Sequence, residues 1–277
     1  MANQEKRSRG RPRADSGVAG QGSVQSLDRA VTLLKLVSEG SGLSLTEVSD
    51  AAGLAPSTAY RMLTTLQQHD MVEFDDINQL WFVGVETFRM GATFLRRRKL
   101  AERGRTVIQT LMQETGETAN LAVADEDAVV FVSQVETHEA IRAFFRPGTR
   151  SPFHASGIGK AILAYRAPEQ TERLIERCGL EGFTEKTLTT AEALRADLAA
   201  IRKRGFAIDD EERNPGMRCV AAAVFNEFGE PVGGVSISGP SVRVTDARAE
   251  GYGPQVRAAG QEITQAMGGR WPSGGET

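Results

Sequence analysis

The sequence predicts an α+β chain in which a small helical module precedes a larger domain built on an antiparallel sheet. Up to about residue 70, apolar residues recur at three- and four-residue spacings, the period of amphipathic helices. From about residue 118, short apolar runs between turns indicate strands, with helical patterns among them. A chain of 277 residues is long enough for two domains with separate cores, or for one large domain.

Composition excludes several classes of protein. Hydrophobic residues make up 40% and charged residues 25%, which is typical of soluble proteins. We expect no membrane partner, because no apolar run approaches the ~20 residues that a membrane helix needs. The charged N-terminus lacks the apolar stretch of a secretory signal. Two cysteines, Cys178 and Cys219, are too few for a disulfide framework, and we expect a cytoplasmic protein.

A basic tail opens the chain, and we expect residues 1–22 to be disordered. Its cationic residues lie among Gly and Pro: Lys6, Arg7, Arg9, Arg11 and Arg13. One interpretation is a solubilising tail. The other is a flexible arm on DNA phosphates, because "RGRPR" also resembles the core of an AT-hook. A net charge of −3 leaves room for such a local basic surface. At the other end, we expect residues 271–277 to be a flexible tail.

Residues 23–85 have the pattern of three helices and a hairpin. The first helix is expected to bury a stripe of five residues: Leu27, Ala30, Val31, Leu34 and Val37. Ser44 and Glu47 fit a capping box that opens the second helix, and Gly53 is expected to make the turn after it. Pro56 suits the first turn of the third helix, and "MVEFDDINQLWFVG" indicates two short strands.

This order of elements is that of a winged helix-turn-helix. The third helix leaves a polar face, which makes its members candidate contacts to double-stranded DNA: Ser57, Thr58, Tyr60, Arg61 and Thr64. Small hydroxyl groups at a helix N-terminus approach phosphates and base edges closely, and an arginine can pair with guanine. The alternative is a structural three-helix module with a polar outer face. The basic tail and the Gly53 turn favour DNA binding.

Residues 86–116 continue as a long helical stretch, which we interpret as a linker helix between the domains. The basic cluster at residues 96–99 either contacts the DNA backbone or faces solvent.

Residues 117–270 form the predicted second domain. Strands are expected in residues 118–136, 140–148, 206–212, 219–229 and 231–240. Helices are expected from Gly157 and in residues 171–180, 190–205 and 246–269. The mixture indicates an antiparallel sheet flanked by helices.

Two pairs of polar residues in the strands suggest a ligand site. Ser236 and Ser238 are two residues apart in one strand, so their hydroxyls share a face. Asp209 and Cys219 lie at the ends of neighbouring predicted strands. The plainer alternatives are an exposed edge face for the serines and a buried structural role for the cysteine.

Glycines in "HASGIGKA" mark a junction from strand to helix. The N–H groups of Gly157 and Ile158 then lie at a helix N-terminus, where unpaired donors and partial positive charge suit a carboxylate. An ordinary helix cap is the alternative.

The sequence shows no residue pattern typical of a catalytic triad or of a metal site. His69, His138 and His154 are scattered, without the spacing of metal ligands. His154 has no acid at a triad spacing, and no serine lies in a G-x-S-x-G elbow. Carboxylates in the run 209–212 cannot all face one point on a strand, so we expect most of them at the surface. We therefore expect no enzyme, metal site or cofactor; the alternative is a small-acid enzyme that uses Cys219.

Taken together, these segments resemble the IclR family of bacterial transcriptional regulators from about residue 24 to residue 268. The resemblance is carried by "SLDRAVTLLKLV", "SLTEVSDAAGLAPSTAYRMLTTL", "PFHASGIGKAILA", "KRGFAIDDEE", "GMRCVAAAVF" and "GVSISGP". It implies a winged helix-turn-helix, a linker helix and a GAF/PAS-like effector-binding domain. It also implies a homodimer or a dimer of dimers on a palindromic DNA operator.

The resemblance further implies a ligand pocket. Its polar members would be Gly157, Ile158, Asp209, Cys219, Ser236 and Ser238, and its wall residues Ala140, Ala143 and Ser151. This set resembles that of family members that sense glyoxylate and pyruvate. The stretch "CVAAAVF" lacks the proline of many relatives that bind aromatic acids, although Asn226 stands where an aspartate is frequent.

The predicted function is therefore transcriptional regulation modulated by a small oxo- or hydroxy-carboxylic acid, with glyoxylate favoured. The backbone N–H groups would bind its carboxylate, and Asp209 would accept hydrogen bonds from a hydrated aldehyde. A sensor of pyruvate or of an aromatic acid is the alternative within the same class. A third possibility is an architectural DNA-binding protein whose second domain only oligomerises.

Overall fold

The computed structural model describes residues 24–97 and 100–272, and it divides into two compact units between Thr93 and Phe94. The predicted basic tail, the side chains of the basic cluster at 96–99 and residues 273–277 of the predicted C-terminal tail lie outside the described residues. Of the helices in the described ranges, none combines the length and apolar character needed to cross a bilayer.

The first unit has the predicted order of helices and hairpin. Its elements are α1 (Gln25–Glu39), α2 (Leu45–Ala52), α3 (Pro56–Gln68), β1 (Val72–Asp75), β2 (Leu80–Val83) and the start of α4 (Val85–Arg97). The predicted capping box is confirmed, since Ser44 Oγ accepts from the Glu47 N–H and the Ser44 N–H donates to the Glu47 carboxylate. Gly53 ends α2 with φ 63°, a left-handed conformation that favours glycine.

The buried stripe of α1 matches the predicted one only in part. Val37 is buried and Ala30 and Leu34 are half-buried, as predicted, but Leu33 is also buried, whereas Leu27 is 63% exposed and Val31 is 43% exposed. Two adjacent apolar stripes of this helix fit the helical period equally well. Packing against α2 and α3 selects the stripe that contains Leu33, and the sequence pattern alone does not make that choice.

The second unit is a six-stranded sheet covered by helices. Its elements are α5 (Leu100–Thr115), β3 (Thr118–Ala124), β4 (Ala128–Val135), β5 (Arg150–Pro152), α6 (Gly157–Leu163), α7 (Pro168–Cys178), α8 (Ala191–Arg204), β6 (Ala207–Asp210), β7 (Met217–Phe225), β8 (Pro231–Pro240) and α9 (Asp246–Ala266). The strand order is β5-β4-β3-β8-β7-β6, and every neighbouring pair is antiparallel. The predicted α+β class is confirmed.

The two faces of the sheet bury different helices. Val220 and Val224 of β7 pack with α5 and α9, whereas Ala221 and Ala223 of the same strand pack with α6 and α8. Side chains alternate between the faces of a strand, so small residues on the second face leave room for α6 to lie close to the sheet. This close approach determines where a ligand site can form.

The strand predicted in residues 140–148 is wrong. This segment is a loop, and the neighbour of β4 is instead the short strand β5. Pro147 lacks a backbone N–H for a ladder, and Gly148 turns the chain with φ 92°. The loop exposes Ile141 and Phe144, while Phe145 packs back onto Phe131.

Candidate functional site

A small cavity lies between α6 and the sheet of the second unit. It holds about 20 Å³, close to the space of one or two water molecules. Seven of the nine predicted ligand residues line it: Ser151, Gly157, Ile158, Asp209, Cys219, Ser236 and Ser238. Residues more than 80 positions apart in sequence thus meet at one place, and their binding roles stay predictions.

The polar floor of the cavity is a row across three strands. Asp209 of β6 is the register partner of Cys219 of β7, and Cys219 is the partner of Ser238 of β8. Cys219 Sγ lies 2.9 Å from Ser238 Oγ. Because register partners point to the same face, the ladder holds the carboxylate, thiol and hydroxyl side by side.

Asn120, in the middle of β3, extends this polar floor. Its Nδ2 donates to Ser238 Oγ at 3.2 Å and to Ser236 Oγ at 3.4 Å. Its Oδ1 accepts a hydrogen bond of 2.8 Å from Gln134 Nε2. We did not predict this residue. The available signal was an amide inside the apolar run "TANLAVA", since a buried polar group needs partners.

Gly157 allows α6 to rest against the polar row. A Cβ at this position would lie 3.2 Å from Ala221 Cβ and 3.4 Å from Cys219 Cβ, so any larger residue would crowd the cavity. Ser156 caps the helix by accepting from the Gly159 N–H. The N–H groups of Gly157 and Ile158 belong to the first turn and have no intrahelical acceptor.

Asp209 is buried beside the cavity. Its Oδ1 accepts a hydrogen bond of 2.9 Å from the Glu212 N–H. Burial raises the pKa of the Asp209 carboxyl to about 6, against the lowering effects of that hydrogen bond and of the Lys160 charge. The carboxyl therefore titrates near neutral pH.

A buried cluster of one lysine and two carboxylates lies next to Asp209. Lys160 of α6 donates to Glu212 Oε1 at 2.5 Å, to Asp197 Oδ2 at 2.7 Å and to the Ile208 carbonyl at 2.8 Å. Burial lowers the pKa of Lys160, but the two carboxylates outweigh this effect and raise it overall. Burial also raises the pKa of Glu212, to about 7.

The expectation that most carboxylates in residues 209–212 lie at the surface is only partly correct, because Asp209 and Glu212 are buried. Residues 209–212 do not continue as one strand, because β6 ends at Asp210 and Glu211 has φ 61°. The chain turns there, and Glu212 points inward to Lys160. Asp210 and Glu211 are partly exposed, and both accept from Lys186.

Burial makes Cys219 a poor nucleophile. Burial raises the pKa of the Cys219 thiol far above its usual range, so the thiolate that a nucleophile needs is disfavoured. Within residues 24–97 and 100–272, no group of three or more His, Cys, Asp or Glu side chains is placed to hold a metal ion.

Two predicted wall residues do not line the cavity. Ala140 is exposed and Ala143 is buried elsewhere in the 136–149 loop. The prediction placed this segment in a strand, and the loop instead presents Phe145 to the cavity, stacked on Phe131 at 4.5 Å between ring centroids. Other lining residues that we did not predict are Ala155, Ser156, Arg213, Asn214 and Met217.

A larger cavity of about 250 Å³ shares Ser151 with the first one. Its walls are mostly apolar and come from β5, α6, α7 and α8. Its polar groups are engaged within the protein: Arg150 pairs with Asp125 and Asp127, and His154 Nε2 lies 2.9 Å from the Glu181 carbonyl. Among its described lining residues, no row of converging polar groups is comparable to that of Asp209 and Cys219.

The polar face of α3 carries most of the predicted DNA contacts. Ser57, Tyr60 and Arg61 are exposed, and Thr58 is half-buried. Tyr60 packs edge-on against Trp81 of the hairpin, with ring centroids 6.5 Å apart. Thr64 does not fit the prediction, because its hydroxyl is buried and has no hydrogen-bond partner among the described residues. The residue as a whole is half-buried.

Comparison with known families identifies the chain. The model of the bacterial transcriptional regulator IclR C-terminal domain matches residues 92–265, and that of the IclR helix-turn-helix domain matches residues 26–76. The chain belongs to the IclR family. Its domains and homologues are those of DNA-binding transcriptional regulators, not of enzymes.

Two IclR-family relatives align over almost the whole chain. The HTH-type transcriptional regulator BhcR of Paracoccus denitrificans is 48% identical and covers 97% of both chains. The transcriptional repressor IclR of Escherichia coli K12 is 41% identical, over 94% of this chain and 96% of its own.

A solved structure shares the fold. It is an IclR homolog of Microbacterium hydrocarbonoxydans in complex with 4-hydroxybenzoate. It matches with a TM-score of 0.76 and 24% identity, over 87% of this chain and 98% of its own.

Proposed function

We propose that this IclR-family protein regulates transcription in response to a two- or three-carbon oxo or hydroxy acid, with glyoxylate as the favoured effector. The observation that carries this proposal is the cavity of about 20 Å³ whose floor is the row Asp209, Cys219 and Ser238. Its size and its polar groups together favour a small, oxygen-rich ligand.

The size of the cavity argues against an aromatic effector such as the 4-hydroxybenzoate bound by the Microbacterium homolog. A benzene ring needs more room than glyoxylate does beside Phe131 and Phe145, which stack on each other at the cavity wall. Glyoxylate is smaller than pyruvate by one methyl group, so it needs the least expansion of the cavity. Pyruvate is the appropriate second compound in any test.

The polar groups suggest how the ligand is recognised. Glyoxylate hydrates in water to a gem-diol, whose hydroxyls can donate to the Asp209 carboxylate. Its own carboxylate can accept from the Gly157 and Ile158 N–H groups and from the hydroxyls of Ser236 and Ser238. Asn120 donates to both serine hydroxyl oxygens, so Ser236 can donate its proton to a ligand oxygen, and Ser238 can donate to a ligand oxygen or to Cys219 Sγ.

Regulation would follow from a shift between two arrangements of the protein. We propose a homodimer or dimer of dimers that places paired α3 helices on a palindromic operator. The ligand can change DNA binding only by its difference in affinity for the two arrangements.

A thermal-shift screen of two- and three-carbon oxo and hydroxy acids tests the effector. A ligand at about one hundred times its dissociation constant adds ~2.7 kcal/mol to the free energy of unfolding. We expect the largest shift with glyoxylate and a smaller one with pyruvate, and benzoate serves as the aromatic control. Titration calorimetry should then show much weaker glyoxylate binding to Asp209→Ala. Unchanged affinity would rule out the proposed role of Asp209.

A further inference from the structure

We propose that Arg213 is the charge-selecting residue of the effector cavity, the cation that makes this site accept a carboxylate next to Asp209. This inference rests on the proposed function and adds to it a residue for which neither the sequence pattern nor the family resemblance supplied a role.

Arg213 provides positive charge in a cavity where Asp209 would otherwise repel an anionic ligand. Asp209 lines it, and an anionic ligand beside an ionised carboxylate is repelled. Among the lining residues that the structure describes, Arg213 is the cationic one. Lys160 is also near but lies beneath the floor, and its ammonium donates to Glu212, Asp197 and the Ile208 carbonyl.

The Arg213 guanidinium is available for a ligand. In the described part of the chain it forms no ion pair and no hydrogen bond with another side chain or with the backbone. Its Cζ lies 4.7 Å from the centroid of the Phe183 ring. A guanidinium stacked on an aromatic ring keeps its in-plane N–H donors open, and these suit a carboxylate with two parallel hydrogen bonds.

The backbone that carries Arg213 is held in place. The Thr184 hydroxyl donates to the Glu211 carbonyl at 2.9 Å, and the Thr187 hydroxyl donates to the Glu212 carbonyl. The Gly216 N–H donates to Glu211 Oε2 at 2.6 Å, which closes the turn. The segment that contains Phe183 therefore anchors the turn and also provides the ring under the guanidinium, so the cation is positioned before any ligand arrives.

The pKa of Asp209 also indicates that Arg213 lies near it. The Arg213 charge lowers the pKa of the Asp209 carboxyl, although less than the Lys160 charge does. Arg213 thus lies close enough to act on a charge at the cavity floor. Its field is positive where that of Asp209 is negative, so the two together select a ligand that is anionic at one end and hydroxylated at the other.

The test compares Arg213→Gln, Arg213→Lys and wild type, all as full-length protein, by titration calorimetry. The ligands are glyoxylate and its uncharged counterpart methyl glyoxylate, which also hydrates. Arg173→Gln, an exposed arginine on α7 outside the cavity, controls for net charge. Thermal midpoints without ligand control for folding.

We expect Arg213→Gln to weaken glyoxylate binding by roughly ten- to a hundredfold, the usual effect of one charged hydrogen-bonding group. The affinity for methyl glyoxylate should change by less than about threefold. Arg213→Lys should lose less glyoxylate affinity than Arg213→Gln because it keeps the charge. Wild-type affinity for glyoxylate should also fall with added salt more steeply than that of Arg213→Gln.

Equal glyoxylate affinity and salt dependence in wild type and Arg213→Gln would overturn the role of Arg213 and leave the proposed effector intact. Equal losses for glyoxylate and methyl glyoxylate would overturn it as well, since a charge-selecting residue must distinguish them. Absence of any binding to wild type would instead overturn the proposed function and this inference with it.

Discussion

Asp209 and Cys219 are register partners on β6 and β7, which places a carboxyl group with a pKa of about 6 directly beside a neutral thiol at the floor of a small cavity. An antiparallel ladder fixes this neighbourhood, because partners across two strands share one face of the sheet. Any small acid bound there must interact with a carboxyl group that titrates near neutral pH.

Glyoxylate binding should therefore depend on the charge of Asp209. The ionised carboxylate is the proposed acceptor for the gem-diol hydroxyls, and these hydrogen bonds favour the charged form, so affinity should decrease as the pH falls through about 6, by up to roughly fourfold between about pH 7.5 and about pH 5.5. Lys160, Asp210, Glu212 and Arg213 also face Asp209, but they remain in Asp209→Asn. Calorimetry across this range should give a flatter profile for that variant. An identical pH profile in both proteins would refute the linkage.

Gly157→Ala should abolish the effector response with little loss of fold. The added methyl would lie 3.2 Å from Ala221 Cβ, within a cavity of only about 20 Å³. We expect glyoxylate affinity to fall by more than about tenfold. Crowding should lower the free energy of unfolding by roughly 1–3 kcal/mol. Gly251→Ala is the matched control, because that helical glycine has nothing within 4 Å of its Cβ position. Gly251→Ala should raise the free energy of unfolding by about 0.5–1 kcal/mol and bind glyoxylate with wild-type affinity. Full glyoxylate affinity in Gly157→Ala would place the ligand elsewhere.

Lys160→Met should be among the most destabilising single changes in the second unit. It leaves the Glu212 and Asp197 carboxylates without their shared cation, and breaking a buried pair in this way costs about 3–5 kcal/mol. Lys203→Met, an exposed position on α8, should stay within about 0.5 kcal/mol of wild type. Denaturant unfolding measures both. If the two variants are equally stable, the Lys160 cluster does not support the site.

On α3, Arg61 and Thr64 should behave in opposite ways. Arg61→Ala should weaken operator binding by about 1–3 kcal/mol, because its exposed guanidinium is free to contact a base or phosphate. Thr64→Val should change DNA affinity by less than about twofold and keep or raise stability, since the buried Thr64 hydroxyl has no partner in the part of the chain that the structure describes. Fluorescence anisotropy with labelled duplex separates the two. A strong loss in Thr64→Val would mean that α3 contacts DNA through a different face.

Local patterns predicted much of the fold. The capping box at Ser44 and Glu47, the left-handed Gly53 and the start of α6 at Gly157 each depend on residues within four positions of one another. Period-two spacing also placed Ser236 and Ser238 on one face of β8. Such features are visible in sequence because the interacting residues are neighbours along the chain.

Features that depend on distant partners were missed. Lys160 and Glu212 are 52 positions apart, so nothing in the acidic run showed that its last member would pair inside the protein. The amide of Asn120 meets Ser236 and Ser238 only after β3 and β8 pair. The loop at 140–148 has the apolar residues of a strand, but Pro147 and the turn at Gly148 prevent a regular ladder.

The most direct test of an effector-controlled repressor or activator is operator affinity with and without glyoxylate. The duplex is a palindromic site selected by this protein from a random pool, and salt is held constant because phosphate contacts are strongly salt-dependent. Saturating glyoxylate should change the dissociation constant of the wild-type protein by roughly five- to a hundredfold, the usual range of allosteric coupling. Asp209→Ala should bind the same DNA and show no change at that concentration. A wild-type affinity that is the same with and without glyoxylate would contradict the proposed effector.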